Sequence, residues 1–171
     1  MDKIFPYATI AHLVSGIGFV LSTWLGAYLV SRAPRSFPSR LAILSLFALS
    51  AYFLHTVLCL FIPADQIGHL WRRYLGWFSL VPLPIWLHLT AALLSPTRRG
   101  LRLVNIYSAY IVCGLLSLSW MFGPWSFSRY TLLPPELVLP ITLFTIGVGG
   151  TALYNAWKLW RQAGDRTLRK R

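Results

Sequence analysis

Four histidines are the residues whose chemistry could matter most in this sequence. His12, His55 and His88 lie inside long apolar stretches, and His69 lies between two of them. An imidazole can bind haem iron, or it can donate and accept hydrogen bonds. A haem held by two histidines needs both rings at one level on facing helices. A rise of about 1.5 Å per helical residue places His12 and His55 at similar depth, with His88 about two turns deeper.

These histidines therefore have two interpretations. Haem binding by His12 and His55 is one, and hydrogen bonding between helices, which membrane proteins commonly use, is the other and the one we favour. We accordingly predict no bound cofactor, and keep haem as the alternative. The two cysteines, Cys59 and Cys113, do not have the spacing of a zinc site or a disulfide framework, so we predict no metal site.

The carboxylates offer no pair suited to acid–base catalysis. Only four are present, and each lies outside the long apolar stretches or at their edges. They are Asp2, Asp65, Glu136 and Asp165. No Asp, Glu, Lys or Arg falls in the middle of an apolar stretch, where a charge usually marks an ion pathway or a proton relay. The sequence therefore predicts a protein without catalytic activity and disfavours a pump or coupled transporter.

Composition places the chain in the membrane. Of its 171 residues, 56% are hydrophobic and 12% are charged, whereas an average soluble domain is about one quarter charged. The net charge of +12 comes from short basic clusters between apolar stretches, which is the pattern of membrane topology rather than of nucleic-acid binding. We predict that the chain contacts a lipid bilayer and no nucleic acid.

Five apolar stretches are long enough to cross about 30 Å of hydrocarbon, which takes roughly 20 residues in a helix. They show no two-residue alternation, so we predict helices rather than barrel strands. The predicted fold is an all-α integral membrane protein, a bundle of five transmembrane helices over residues 1–161, followed by a basic cytoplasmic tail at 162–171 in which Gly164 is expected to break the last helix. The predicted spans are residues 8–30, 41–62, 74–94, 103–125 and 137–160.

The basic residues also predict the orientation of the chain. Twelve Lys and Arg residues lie in the loops after the first and third stretches and in the tail, and four lie on the opposite side. Basic residues concentrate in cytoplasmic loops. The N-terminus is therefore predicted outside and the C-terminus in the cytoplasm, in a multi-pass protein of the plasma (inner) membrane.

The third stretch carries Pro82 and Pro84 in its middle. Each proline removes a backbone donor and clashes with the preceding turn, so we predict a kink or a short unwound segment. The freed carbonyl groups need partners, and a kinked helix leaves space beside it. A ligand-binding cavity in this space, for a small or lipophilic ligand, is our site hypothesis; a structural kink without a ligand is the alternative and the more common case. The predicted ligand-binding residues are Tyr52, His55, Trp77, Pro82, Pro84, Trp86 and His88.

Small residues recur every four positions in two stretches. Gly18, Ser22 and Gly26 form such a series in the first stretch, and Thr145 and Gly149 begin one in the last. Small side chains allow helix backbones to approach closely in lipid. We expect these residues to pack within one bundle, while a dimer interface stays open as an alternative.

Four sequence segments carry a family likeness. They are ArgAlaProArgSer after the first stretch, TrpArgArgTyrLeuGlyTrp before the proline-containing one, TrpLeuHisLeuThr within it and LeuLeuSerProThrArgArg at its end. Together, over about residues 23–102, they resemble the N-terminal seven-helix sensor region of bacterial histidine kinases. The resemblance implies recognition of a small or lipophilic signal. We count five helices rather than seven, and no phosphoacceptor or ATP-binding domain follows.

The resemblance therefore suggests a signal-input module that acts through a protein partner or a homo-oligomer, or a fragment of a longer product. An accessory or haem-carrying subunit of a larger membrane complex is the alternative function.

Overall fold

The fold is helical throughout the part of the chain that the structure describes. The computed structural model describes residues 5–33, 35–61, 66–94, 99–124 and 134–168, and contains no strand in these ranges. The elements are α1 (Phe5–Arg32), α2 (Phe37–Phe61), α3 (Gln66–Leu75), a 3₁₀ turn (Gly76–Ser79), α4 (Pro82–Leu93), α5 (Arg99–Phe122) and α6 (Pro135–Leu168). Asp2, Asp65, the predicted span ends at 62 and 125, and the last three residues lie outside the described ranges.

Five segments of the described chain are long and apolar enough to cross a membrane. They are His12–Arg32, Phe37–Cys59, Arg73–Leu93, Leu103–Phe122 and Pro135–Gln162. The prediction of an all-α chain with five apolar spans is thereby confirmed. Each observed segment overlaps one predicted span, with ends that differ by a few residues.

Helix ends follow local sequence signals. Ser36 precedes α2, and its Oγ accepts a hydrogen bond of 3.4 Å from the backbone N–H of Ser39, which satisfies one donor of the first turn. α5 ends at Phe122, directly before Gly123 and Pro124. α6 continues through Gly164 to Leu168, so the expected break at Gly164 is wrong. A single glycine costs a helix only about 1 kcal/mol.

The third span is interrupted, as the prolines predicted, but the interruption lies before them. α3 ends at Leu75, the chain tightens into the 3₁₀ turn, and α4 begins at Pro82. Proline is well suited to the first turn of a helix, where its missing N–H would have no partner anyway. The prolines therefore start a new helix instead of kinking a continuous one.

α4 is the central helix of the bundle. It packs against α2, α5 and α6, while α1 packs chiefly against α2. Five of the twelve residues of α4 are buried. Where the 3₁₀ turn meets α5 and α6, buried side chains form one hydrophobic cluster. Its members are Leu80, Cys113, Trp120, Leu137, Ile141 and Phe144.

The small residues of α1 face α2. A Cβ atom at Gly18 would lie 2.6 Å from the ring of Phe53, and one at Gly26 would lie 3.3 Å from the ring of Phe47. Ser22, between them, is 3% exposed. The prediction that this series packs inside the bundle is confirmed, because the rings of α2 occupy the space that larger side chains in α1 would need.

Candidate functional site: an apolar cavity at the broken span

A cavity of about 710 Å³ lies beside the interruption of the third span. Its walls come from α2, the 3₁₀ turn, α4 and α6. Most of the described lining residues are apolar and none is charged. They are Ala42, Ser45, Leu46, Leu49, Tyr52, Ser79, Leu80, Pro82, Leu83, Trp86, Leu89, Ile141 and Thr145.

Helical spacing explains which residues reach the cavity. In α2 the lining residues Ser45, Leu49 and Tyr52 are four and three positions apart, so they share one face of the helix. The α2 wall runs from Ala42 to Tyr52, which is about 15 Å along the helix axis. The cavity is therefore elongated along the helices.

Contacts near the two ends of α2 show that α2 and α4 run in opposite directions. The ring of Phe37, at the start of α2, lies 5.5 Å from that of His88, near the end of α4. The ring of His55, late in α2, lies 6.4 Å from that of Trp71, before α4 begins. Tyr52 and Ser79 consequently line the end of the cavity that adjoins the interruption between α3 and α4.

A few polar side chains interrupt this apolar wall. Ser79 Oγ donates a hydrogen bond of 2.8 Å to the carbonyl oxygen of Gly76. The hydroxyl groups of Ser45, Tyr52 and Thr145 make no hydrogen bond to the described part of the chain.

Ser79 lines the cavity, and its carbonyl oxygen is a backbone acceptor at the interruption between α3 and α4. In a helical turn its donors would be the N–H groups of residues 82 and 83. Pro82 has no N–H, and the Leu83 N–H donates instead to the carbonyl of Leu80, at 3.3 Å. The Ser79 carbonyl therefore receives no hydrogen bond from the described backbone. This is the freed carbonyl that two nearby prolines lead one to expect.

The structure brings three of the predicted ligand-binding residues, Tyr52, Pro82 and Trp86, into the wall of this cavity. Pro84 is fully buried and does not line it. Trp77 packs against the hydrophobic cluster and donates from Nε1 to the carbonyl of Tyr74, at 2.7 Å. Ligand binding by these residues stays a prediction.

The two histidines among the predicted residues, His55 and His88, do not line the cavity. His88 contacts both Phe37 of α2 and Tyr110 of α5, whose hydroxyl oxygen lies 3.4 Å from His88 Nδ1; the second contact is the predicted hydrogen bond between helices. His55 places Nε2 3.4 Å from Sγ of Cys59, on the same helix. His12 lies in α1 beside a shallow apolar groove. The described residues contain no group of three or more His, Cys, Asp or Glu side chains that could hold a metal ion.

Sequence reasoning missed the contribution of α6 to the cavity. Ile141 and Thr145 complete the wall opposite α2, and Ile141 also belongs to the hydrophobic cluster. Thr145 was singled out only as a small residue. No signal in the sequence connects α6 with the proline-containing segment, because the two are more than 50 residues apart in the chain.

Comparison with known proteins adds no relative. No protein-family model, no curated protein and no solved structure matches the chain.

Proposed function

We propose that this chain is a non-catalytic sensor module of the plasma membrane, which binds a small lipophilic ligand and acts through a protein partner or a second copy. The observation that supports this proposal is the uncharged cavity at the broken third span. Ligand pockets commonly measure about 300–1,000 Å³ and are mostly apolar with a few polar groups. The volume of about 710 Å³ and the residues that line the cavity agree with that description.

Exposure of the cavity wall supports entry from the lipid. Trp86 lines the cavity and is 39% exposed, on a helix within the third apolar span. A side chain exposed at this position in a membrane faces hydrocarbon rather than water. A ligand that already dissolves in the bilayer would thus reach the cavity sideways between helices.

α6 is the element that would transmit binding. Ile141 and Thr145 line the cavity, and α6 is 34 residues long. It therefore measures about 50 Å, against about 30 Å of hydrocarbon. Its C-terminal end extends beyond the apolar layer, where Lys158 and Arg161 are exposed. A ligand shifts a conformational equilibrium only through different affinities for the two states, so contact with Ile141 must differ between the states.

Binding can be tested with the purified protein in phosphatidylcholine nanodiscs. The probe is 12-bromododecan-1-ol, whose bromine quenches tryptophan fluorescence on contact. We expect saturable quenching, which is lost when Ala42→Phe fills the cavity. Leu44→Phe is the matched control, because Leu44 lies in the same helix but is exposed away from the cavity. Quenching that rises linearly and equally in all variants would contradict ligand binding.

Transmission can be tested with spin labels at two exposed inner positions, Arg40→Cys in α2 and Arg161→Cys in α6, in a background with Cys59 and Cys113 replaced by alanine. We expect the distance between the labels to change when the probe saturates the cavity. Saturable binding with an unchanged distance would contradict the sensor role while leaving the binding site intact.

The orientation is part of the proposal and rests on the twelve-to-four division of basic residues. Reporters that are active only outside or only inside the cell, fused to each terminus in turn, test it. We expect the N-terminal fusion to be active outside and the C-terminal fusion inside. Activity of both fusions in one compartment would contradict five crossings.

A further inference from the structure

We infer that the ligand of the cavity is an uncharged lipophilic alcohol or phenol, whose hydroxyl group donates a hydrogen bond to the carbonyl oxygen of Ser79. The inference rests on the proposed function and goes further by naming the chemical class of the ligand. Three observations support it. The carbonyl oxygen of Ser79 has no backbone donor in the described chain, the described lining residues carry no charge, and Tyr52 and Ser79 lie at one end of an otherwise mostly apolar cavity.

The Ser79 carbonyl oxygen is the acceptor. Pro82 cannot donate to it, and the N–H of Leu83 is directed to the carbonyl of Leu80. A carbonyl group left without a donor in hydrocarbon is unfavourable, since no water is present to replace the lost hydrogen bond. A carbonyl can only accept a hydrogen bond. The group that satisfies it must therefore be a donor, which excludes ethers and esters as the recognised group.

The wall of the cavity excludes a charged ligand. None of its described lining residues is acidic or basic. An ionised carboxylate or ammonium group would enter this apolar space without a counter-ion, at a large cost in solvation. The donor must therefore be uncharged at neutral pH, as the hydroxyl group of an alcohol or phenol is.

The arrangement of polar and apolar residues orients this ligand. Ser79 and Tyr52 line the end of the cavity at the broken segment, and Ala42 and Leu89 line the other end. The Tyr52 hydroxyl makes no hydrogen bond to the described chain. Its O–H can donate to the hydroxyl oxygen of the ligand, while the O–H of the ligand donates to the carbonyl oxygen of Ser79. A hydroxyl group serves both roles. The apolar part of the ligand then extends about 15 Å along α2.

The experiment compares three probes of equal chain length in phosphatidylcholine nanodiscs, with quenching of tryptophan fluorescence as the readout. They are 12-bromododecan-1-ol, its methyl ether and 12-bromododecanoate. Loss of one hydrogen bond changes affinity by roughly three- to tenfold. We expect the alcohol to bind more tightly than the ether by that factor, after correction for partition into the lipid, and the carboxylate to show no saturable binding.

Pro82→Ala identifies the acceptor. Alanine at this position has an N–H three residues after Ser79, so the protein itself can satisfy the carbonyl. We expect the difference in affinity between alcohol and ether to disappear in this variant. Pro84→Ala is the matched control, because Pro84 is buried and does not line the cavity; it should keep the difference.

A second measurement does not depend on any variant. In protein labelled with [1-¹³C]serine, infrared difference spectra should show a serine carbonyl shifting to lower frequency when the alcohol is added, and no such shift with the ether. Absence of this shift, or equal saturable binding of alcohol and ether, would overturn the inference and leave the proposed function standing. No saturable binding of any probe would contradict both.

Discussion

The guanidinium group of Arg73 donates a hydrogen bond of 2.9 Å from Nη2 to the carbonyl oxygen of Gly123. Its Nε donates to the carbonyl of Met121, also at 2.9 Å. The last carbonyl groups of a helix have no partner within the helix, and here a cation from α3 satisfies two at the end of α5. This contact joins α3 to the end of α5. It thereby fixes the position of the 3₁₀ turn that follows α3 and ends at Ser79.

Removal of the Arg73 side chain should destabilise the bundle. In Arg73→Met the carbonyls of Met121 and Gly123 lose their donor, at a cost of about 1–3 kcal/mol in the free energy of unfolding. We expect a lower midpoint of thermal unfolding in detergent, followed by circular dichroism. Arg40→Met is the control, because Arg40 is exposed and its side chain makes no hydrogen bond to the described chain. Equal midpoints for the two variants would show that the contact does not stabilise the fold.

Gly76 permits the close approach of the 3₁₀ turn to α5. A Cβ atom at this position would lie 2.6 Å from Cζ2 of Trp120, which is 3% exposed and cannot move aside. We expect Gly76→Ala to reduce the free energy of unfolding by about 1–3 kcal/mol, as overpacking does.

Gly147→Ala is the matched control for this substitution. No atom lies within 4 Å of a Cβ placed at Gly147, and alanine favours the helix by about 1 kcal/mol. The control should therefore be neutral or stabilising. Similar reductions in the free energy of unfolding for Gly76→Ala and Gly147→Ala would show that contact with Trp120 is not the cause.

Among the described residues, a hydrogen bond between the side chains of Thr23 and Ser50 joins α1 to α2. Thr23 Oγ1 lies 2.6 Å from Ser50 Oγ and donates its own proton to the carbonyl of Phe19, at 2.7 Å, so Ser50 is the donor between the helices. A double-mutant cycle of Thr23→Val and Ser50→Ala should give a coupling of about 0.6 kcal/mol, the average for such bonds in membranes. The free energy of unfolding of the four proteins measures it, and additive effects would show that the bond contributes nothing.

Replacing the prolines at the start of α4 should change the movement of α6 on ligand binding, but it should not change membrane insertion. With Pro82→Ala and Pro84→Ala together, the missing backbone donors return, and α4 can extend backwards through the break. We expect an altered distance change between the labels on α2 and α6 and unchanged reporter topology. A response equal to that of the parent protein would show that the break is not the moving part.

Much of the fold could be predicted from the sequence because lipid imposes simple requirements. A membrane span must be about 20 apolar residues and must satisfy its own backbone hydrogen bonds, so five spans and an all-α chain followed from local composition. Pro82 and Pro84 likewise predicted an interruption, since the loss of a backbone donor is a property of the residue itself.

The tertiary structure alone decided which residues share the cavity. Which face of a helix lines the cavity depends on the helices packed against it. A helix that is apolar on every side has no polar face that would predict its orientation. His55 and His88, prominent in the sequence, instead contact Cys59 and Tyr110, while Thr145 of α6 and Tyr52 of α2 line one cavity. Composition determines that five of the described segments are long and apolar enough to cross a membrane; packing between distant segments determines where a cavity remains between them.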